Sequence, residues 1–267
     1  MRDFRDKLVL VTGASSGIGE ALALAFAGAG ARLLLTARDA QRLDGVRQRC
    51  VALGADTTTH LADLADEAQV DALAQAVHAR HPALDVLVNN AGVVMGGFCW
   101  EVEPADWRRL HEINVMGVVH GIRAFLPRMI ERGAGGHIVN MASVSGLVGS
   151  SGMATYSASK FAVVGLSESL RAELYRHRIG VSAICPGFVN TPIQGKVKVV
   201  GRLDTPRSRE RIAGDFARTR LLPETVAQAA LRAIRRNQGL VSIGREALMV
   251  RTLKRWAPSL LERALRR

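Results

Sequence analysis

The chain has 267 residues, of which 48% are hydrophobic and only 4% are aromatic. This length favours one large α/β domain over two small ones, and the apolar segments are too short to cross a membrane. The formal net charge is +12, and residues 195–220 and 245–267 each contribute +5 of it. Because neither segment contains a nucleic-acid-binding motif or interleaved aromatic residues, we expect no nucleic-acid partner.

The cysteine and histidine residues lack the spacing of a metal site, so no metal is expected. Cys50, Cys99 and Cys185 are odd in number and widely separated along the chain. Such thiols are typical of a reducing compartment, and we expect a cytoplasmic protein.

Apolar strands alternate with helical stretches along the chain. The pattern predicts strands at residues 7–12, 32–36, 57–61, 86–89, 137–141, 181–185 and 240–243. It predicts helices at residues 18–29, 39–53, 66–80, 104–131, 154–178 and 223–236. Strands that are apolar along their whole length are buried on both faces of a parallel sheet. The sequence therefore predicts a single doubly wound, Rossmann-type α/β domain with a seven-stranded parallel sheet and helices on both faces.

Two segments fall outside this alternation, and the main domain is predicted over residues 1–245. Residues 188–222, which we call the lid segment, form a long connection of the kind that typically covers a substrate. Residues 246–267 predict a basic amphipathic helical extension, in which Pro258 would kink the helix or start a second one. Trp256 and the arginines around it would permit peripheral contact with a membrane, but packing over a cleft or against another subunit is the favoured interpretation.

A glycine-rich turn at residues 12–19 separates the first predicted strand from the first helix. Glycines at such a turn allow a sharp reversal and let the backbone approach a pyrophosphate at the helix N-terminus. The turn therefore predicts a dinucleotide site. Its residues are Gly13, Ser15, Ser16, Gly17, Ile18 and Gly19.

The end of the second strand is where an acidic residue would bind the 2′-hydroxyl of NAD, but this position holds Ala37. Arg38, with Arg42 one turn behind it, would instead bind the 2′-phosphate of NADP. Asp39 is interpreted as a helix N-cap. We therefore expect NADP(H) to be preferred over NAD(H).

Tyr156 and Lys160 are four residues apart and lie on the same face of a predicted helix. A nearby ammonium favours the phenolate, so we expect Lys160 to lower the pKa of Tyr156 and fit it for acid–base catalysis. Ser143 follows the fifth strand, where its hydroxyl would hold a substrate carbonyl or alkoxide. An acid–base pair in a chain with a phosphate-binding turn points to hydride transfer.

These motifs resemble those of the short-chain dehydrogenase/reductase family over residues 6–243. The resemblance rests on the TGxxxGIG turn, on NNAG at residues 89–92, and on a serine thirteen residues before the YxxxK segment. It also includes Asn114, the Pro186-Gly187 pair and Thr191. The resemblance implies a homodimer or homotetramer formed through the two long helices.

The resemblance also implies a role for each matching residue. Tyr156 would be the general acid/base, Ser143 would orient the substrate oxygen, and Lys160 would bind the nicotinamide ribose. Asn114 would hold a water that links Lys160 to solvent. The other residues implied in cofactor binding are Arg38, Asp63, Leu64, Asn90, Ala91, Gly92, Pro186, Gly187, Val189 and Thr191, and Tyr156 and Lys160 are shared with catalysis.

The expected activity is the NADP-dependent interconversion of a secondary alcohol and a ketone. An apolar substrate is indicated by the residues expected to border the cleft, which are Met95, Phe98, Cys99, Trp100, Met153, Phe188 and Val189. An alternative is reduction of a 3-oxoacyl thioester, whose anionic carrier would meet basic residues of the lid segment. These are Lys196, Lys198, Arg202, Arg207, Arg209 and Arg211. A third hypothesis is a non-catalytic NADP-sensing protein, against which the intact catalytic residues argue.

Overall fold

The computed structural model describes residues 1, 3–191 and 197–265, without the side chains at positions 213 and 215–217. Within this part of the chain the strands are β1 (Leu8–Thr12), β2 (Arg32–Ala37), β3 (Thr57–Leu61), β4 (Val86–Asn89), β5 (Met95–Gly96), β6 (Gly136–Met141), β7 (Ile179–Pro186), β8 (Lys198–Val199) and β9 (Leu240–Ile243). The α-helices are α1 (Gly17–Gly28), α2 (Ala40–Ala52), α3 (Glu67–His78), α4 (Pro104–His111), α5 (Gly117–Arg132), α6 (Ala154–Glu173), α7 (Pro206–Arg218), α8 (Pro223–Arg236), α9 (Arg245–Trp256) and α10 (Pro258–Leu265).

Seven of these strands form one sheet in the order β3-β2-β1-β4-β6-β7-β9, and every pairing in it is parallel. This confirms the fold predicted from the sequence. Strand β1 lies between β2 and β4, so the order in which the chain adds strands reverses beside it. In such sheets ligands bind outside the carboxyl ends of the strands at the point of reversal.

Strand β1 shows why the sheet is covered on both faces. Val9 and Val11 belong to the apolar layer that includes Phe26 of α1 and residues of α8, whereas Leu8 and Leu10 belong to the layer under α3, α5 and α6. Successive side chains of a strand point to opposite faces, so an unbroken apolar run fills both layers. Burial on both faces holds β1 in place, and the glycine-rich turn therefore begins at a rigid part of the sheet.

The helical run predicted at residues 104–131 is present, but it is not one uniform α-helix. A π-helical turn at Glu112–Met116 separates α4 from α5. Apolar spacing did not reveal this turn, because a single wider turn changes the helical phase by only one residue. Asn114 lies within it, and π turns of this kind occur frequently at functional sites.

The second long helix is shorter than predicted, because α6 ends at Glu173 rather than at residue 178. A 3₁₀ turn at Tyr175–His177 follows, and Arg178 adopts a left-handed conformation with φ of 57°. A left-handed residue ends a helix and redirects the chain. Strand β7 accordingly begins at Ile179, two residues before the predicted start.

The lid segment and the C-terminal extension both contain regular structure. The lid segment holds β8, which pairs in parallel with β5, and then α7, while its residues 192–196 lie outside the described ranges. Pro258 begins α10, which confirms the second of the two predicted outcomes for this proline. Residues 266 and 267 are not described. Over the described ranges, no helix has the length and apolar character needed to cross a membrane.

Candidate active site

A cleft of about 1040 Å³ opens at the carboxyl ends of the parallel strands. Most of the predicted site residues line it, namely Gly13, Ser15, Ser16, Gly17, Ile18, Gly19, Arg38, Asp63, Leu64, Asn90, Ala91, Gly92, Ser143, Tyr156, Lys160, Pro186, Gly187, Val189 and Thr191. The two predicted residues that do not line it are Arg42 and Asn114. The fold thus brings together in one cleft predicted residues that are up to 178 positions apart in the chain.

The glycine-rich turn forms a cradle that side chains would fill. Gly13 and Gly17 have φ of 64° and 59°, a backbone conformation that favours glycine. A Cβ at Gly19 would lie 2.2 Å from the carbonyl oxygen of Gly13. Ser16 is the N-cap of α1, and its side chain makes no capping hydrogen bond with the described residues. The exposed backbone amides at this helix start fit the pyrophosphate of a dinucleotide.

Thr12 and Asn90 hold this cradle against the end of β4. The Thr12 hydroxyl oxygen accepts from the backbone amides of Asn90 (2.9 Å) and Ala91 (3.1 Å). The Asn90 side-chain amide donates to the carbonyl oxygen of Thr12 at 2.9 Å. This role of Thr12 was not predicted, although its position directly before the first glycine was the available signal.

The two arginines proposed for the 2′-phosphate have different partners. The Nη1 of Arg38 lies 3.4 Å from Oδ2 of Asp63, and the Arg38 side chain is 60% exposed at the cleft. Arg42 instead pairs with Asp39 at 3.4 Å, and the backbone amide of Arg42 donates to the same carboxylate. Asp39 is therefore the N-cap of α2, as predicted. Of the two arginines, Arg38 lines the cleft and Arg42 does not.

Tyr156 is a buried phenol beside Ser143. Its side chain is hydrogen-bonded with Ser143, and the Lys160 Nζ lies 5.8 Å from the centre of its ring. Burial raises the pKa of Tyr156 to about 12, and the hydrogen bond with Ser143 offsets this only in part. We expected Lys160 to lower this pKa, but the pKa is raised, because burial outweighs the hydrogen bond with Ser143 and Lys160 is not among the groups that shift it.

Lys160 projects from α6 toward the ends of β4 and β6. Its Nζ donates to the carbonyl oxygen of Met141 at 2.9 Å, and burial lowers its pKa to about 8. A Cβ at Gly92 would lie 3.5 Å from this Nζ and 3.1 Å from Oδ1 of Asn114. The glycine therefore leaves open the space on which the lysine and asparagine side chains converge.

Asn114 is fully buried in the π turn and acts on the loop after β4. Its Oδ1 accepts from the backbone amide of Val93 at 2.8 Å, while its Nδ2 donates to the Val93 carbonyl at 2.9 Å and to Ser159 Oγ at 3.1 Å. Asn114 thus ties the loop that follows Gly92 to helix α6. The wider π turn places this amide between the two elements.

Cys185 is a neighbour of Ser143 to which the sequence assigned no role. Its buried sulfur accepts a hydrogen bond from the backbone amide of Ser143, and burial raises its pKa to about 12. It precedes the Pro186-Gly187 pair, which was the signal available in the sequence. The thiol is therefore protonated at neutral pH.

The outer part of the cleft is apolar, as expected, but its lining differs from the prediction. Met153, Phe188 and Val189 line it, joined by Val93, Val94, Ile113, Val144, Val148, Val199, Leu203 and Ile212. Of the other residues predicted to border the cleft, Met95, Phe98, Cys99 and Trp100 do not line it. Phe98 and Trp100 stack on each other instead, with their ring centres 5.0 Å apart, and the Arg202 guanidinium lies over both.

The doubly wound parallel sheet, with a glycine cradle and a buried tyrosine–lysine pair at its carboxyl edge, defines a Rossmann-type nucleotide-binding fold. The family model of short chain dehydrogenases matches residues 7–199. The chain belongs to the short-chain dehydrogenase/reductase family.

The relatives of known name cover different shares of the chain. The 1-deoxy-11-beta-hydroxypentalenate dehydrogenase of Streptomyces avermitilis is 42% identical over 186 residues, which are 69% of each protein. The Mycobacterium tuberculosis protein EphD is 34% identical over 98% of this chain. The chain spans only 45% of the length of EphD.

Two solved structures have the same fold with different nucleotides. A short-chain dehydrogenase/reductase from Burkholderia phymatum in complex with NAD has a TM-score of 0.88 and 33% identity, covering 98% of this chain and 97% of its own. A metagenomic short-chain oxidoreductase in complex with NADP has a TM-score of 0.71 and 33% identity, covering 90% and 96%. Similar proteins therefore bind either nucleotide.

Proposed function

We propose that the protein is an NADP-preferring oxidoreductase that interconverts a secondary alcohol and a ketone on an apolar substrate. The observation that carries this proposal is the convergence of Ser143, Tyr156 and Lys160 in the same cleft as the glycine cradle. The Streptomyces relative is named as a dehydrogenase of a hydroxylated compound, which supports the class of reaction.

Tyr156 would move the proton in this reaction. Hydride transfer is the chemistry that a nicotinamide dinucleotide supplies when bound. Because burial raises the pKa of Tyr156 to about 12, the phenol holds its proton at neutral pH and can give it to a substrate carbonyl oxygen during reduction. Ser143, hydrogen-bonded with the phenol, would hold the same substrate oxygen.

Lys160 would restore the proton and bind the nucleotide ribose. Burial lowers its pKa to about 8, so it exchanges a proton close to neutral pH. A water held at Asn114 would pass the proton between Lys160 and solvent. This is supported by the Asn114 Oδ1, which faces the same open space at Gly92 as the lysine Nζ. Oxidation of an alcohol would use the same groups in the opposite direction.

The NADP preference is tested by titrating NADPH and NADH into the wild type, Arg38→Ala and Arg42→Ala. A hydrogen bond to a charged group contributes about 1.5–3 kcal/mol, and the exposed Arg38–Asp63 pair that must open is worth about 0–1 kcal/mol. Arg38→Ala should therefore weaken NADPH binding about tenfold and leave NADH binding unchanged. Arg42→Ala, which removes a residue outside the cleft, is the matched control. Equal binding of both nucleotides by the wild type would refute the preference.

The enzymatic proposal is tested with Tyr156→Phe in a screen of ketones followed by NADPH oxidation. General acid–base groups contribute about 10²- to 10⁴-fold in rate, so kcat should fall by at least that lower factor. NADPH affinity should stay within about twofold of the wild type. A wild type that binds NADPH but reduces no ketone would favour the non-catalytic sensor instead.

Reduction of a 3-oxoacyl thioester remains the alternative, but the charges of the lid segment give it limited support. Lys198 pairs with Asp106 at 2.6 Å, and Arg202 pairs with Glu101. Another of the six basic residues, Lys196, lies outside the described ranges. Since acidic neighbours already hold these cations, a highly charged carrier would have to break ion pairs to bind. Acetoacetyl-coenzyme A turnover that salt weakens strongly would favour this alternative.

The protein is also proposed to form a homodimer or homotetramer and to act in the cytoplasm. Met116 and Phe161, from the two long helical runs, are each 37% exposed, which supports burial of these faces in an assembly. All three cysteines are free, which suits a reducing compartment. Size-exclusion chromatography with light scattering tests the assembly, and a monomeric mass at micromolar concentration would contradict it.

A further inference from the structure

We propose that Arg211 receives a carboxylate of the substrate, so that the preferred substrates are apolar alcohols or ketones with a carboxylate remote from the reacting carbon. This inference rests on the proposed function and adds a substrate class to it. It concerns helix α7, which lies beyond the residues matched by the family model.

Helix α7 presents one face to the cleft. Ser208, Arg211 and Ile212 all line the cleft, and their spacing of three and four residues places them on the same side of the helix. The helix begins at a capped turn, where the Thr205 hydroxyl oxygen accepts from the backbone amide of Ser208 at 3.1 Å. This cap fixes the start of the helix from which Arg211 projects.

The lid segment sits over the catalytic side of the cleft. A Cβ at Gly152, four residues before Tyr156, would lie 2.6 Å from Leu203 Cδ1, which shows how closely the two segments pack. Strand β8 pairs with β5, just after the loop that Asn114 holds. The part of the lid segment just before α7 therefore packs beside the helix of Tyr156, and Arg211 lines the same cleft as the phenol.

Arg211 differs from three of the cations of the lid segment, which are held in ion pairs. Lys198, Arg202 and Arg209 each have an acidic partner, and that of Arg209 is Asp204 at 2.6 Å. Arg211 has no ion pair among the side chains that the structure describes, a set that leaves out positions 213 and 215–217. Both Arg211 and Arg207 are exposed, but Arg211 lines the cleft and Arg207 does not.

The neighbours of Arg211 in the cleft indicate what kind of anion it would meet. Val199, Leu203 and Ile212 of the lid segment and Met153 beside Tyr156 form an apolar lining. A guanidinium at the edge of an apolar pocket binds a planar carboxylate with two parallel hydrogen bonds. One such cation suits a singly charged group, and the apolar walls suit a hydrocarbon skeleton.

The experiment compares ketones of about ten to twenty carbons, each as a free acid and as its methyl ester, in wild type, Arg211→Gln, Arg211→Lys and Arg207→Gln. Wild type should prefer the acids by about tenfold in kcat/KM, mainly through KM. Arg211→Gln should remove that preference without changing the ester, and Arg211→Lys should restore part of it. Arg207→Gln is the matched control on the same helix and should behave as wild type.

A binding measurement that needs no turnover accompanies the kinetics. Decanoate should raise the melting temperature of the NADPH-loaded wild type, and Arg211→Gln should abolish this shift. Decanol should give the same shift in both proteins. NADPH affinity, followed by fluorescence, should be unchanged in the variant.

Three results would overturn the inference. Equal kcat/KM for acids and esters in wild type, with no decanoate shift, would show that no carboxylate is recognised. An equal loss for acids and esters in Arg211→Gln would show that Arg211 only positions the lid segment, and weakened NADPH binding would assign Arg211 to the nucleotide. In contrast, wild type that reduces neither acids nor esters would count against the proposed function itself.

Discussion

Lys254 of helix α9 connects the C-terminal extension to residues 143–147, here called the serine loop. Its Nζ donates to the carbonyl oxygen of Leu147 at 2.6 Å and lies 4.5 Å from the centre of the Phe161 ring. Leu147 ends the 3₁₀ turn that Ser143 begins, and Phe161 directly follows Lys160. Replacing Lys254 by methionine keeps the apolar part of the side chain and removes the charge.

The structure gives the size of the expected effect. A hydrogen bond from a charged donor contributes about 1.5–3 kcal/mol, and a cation–π contact near the surface contributes about 0.5–1 kcal/mol. Because Lys254 is exposed along part of its length, we take the lower end of each range and expect a loss of about 2 kcal/mol in Lys254→Met. For a domain of this size that corresponds to about 4–8 °C in melting temperature.

The same substitution should reduce turnover. With its anchor removed, the turn after Ser143 would sample other positions, and a misplaced catalytic group costs rate rather than nucleotide affinity. We expect kcat to fall about three- to tenfold, with NADPH affinity unchanged. Differential scanning fluorimetry at fixed protein and nucleotide concentrations measures the stability, and steady-state kinetics measures kcat.

Arg255→Met provides the control, because the neighbouring Arg255 is exposed and its guanidinium lies 5.4 Å from the ring centre of Trp256, also exposed, on the same helix. This variant should match wild type within about 1 °C and within twofold in kcat. A Lys254→Met protein with wild-type melting temperature and kcat would refute the reasoning that α9 supports the serine loop.

Two further predictions follow from the nucleotide cradle and from the buried lysine. Gly19→Ala would place a Cβ 2.2 Å from the Gly13 carbonyl oxygen. NADPH affinity should therefore fall at least tenfold, and the free energy of unfolding should fall by about 1–3 kcal/mol. In Gly28→Ala, where a Cβ would have no atom within 4 Å, both quantities should stay at the wild-type value. Burial lowers the pKa of Lys160 from 10.5 to about 8. Between these two pH values the unfolded chain binds a proton that the native protein does not, so stability rises with pH in this range. Below pH 8 the buried ammonium is charged and destabilises the native state. Lys160→Met should therefore be inactive yet more stable than wild type at pH 7, by about 1–3 kcal/mol, with the difference shrinking toward pH 10; thermal unfolding that shows a less stable variant throughout would contradict this.

The sheet and the cradle could be predicted because their signals are local. An unbroken apolar run before a glycine-rich turn predicts β1 and the cradle together, and the strand pairings then follow from topology. The seven strands of the sheet were identified within two residues of their observed positions. Local spacing was also enough to place Tyr156 beside Lys160.

The errors arose where distant parts of the chain decide the outcome. Phe98 and Trp100 are apolar residues in the expected loop, but they stack on each other outside the cleft, and Arg202, about a hundred positions later, lies over both rings. The spacing of Tyr156 and Lys160 gave their proximity, whereas the pKa of the phenol depends on burial by several elements at once. Neither contact nor burial of this kind is encoded within a short window of sequence.

The features that this protein shares with its family lie earlier in the chain than several features that the family model does not match. Residues matched by the family model supply the cradle and the groups that would move the proton, and they end at residue 199. Later parts of the chain also reach this region, among them Arg211 at the cleft and Lys254 at the serine loop. Both lie on helices outside the parallel sheet. If Arg211 binds a carboxylate as proposed, part of the substrate specificity of this protein comes from its last quarter, beyond the residues matched by the family model.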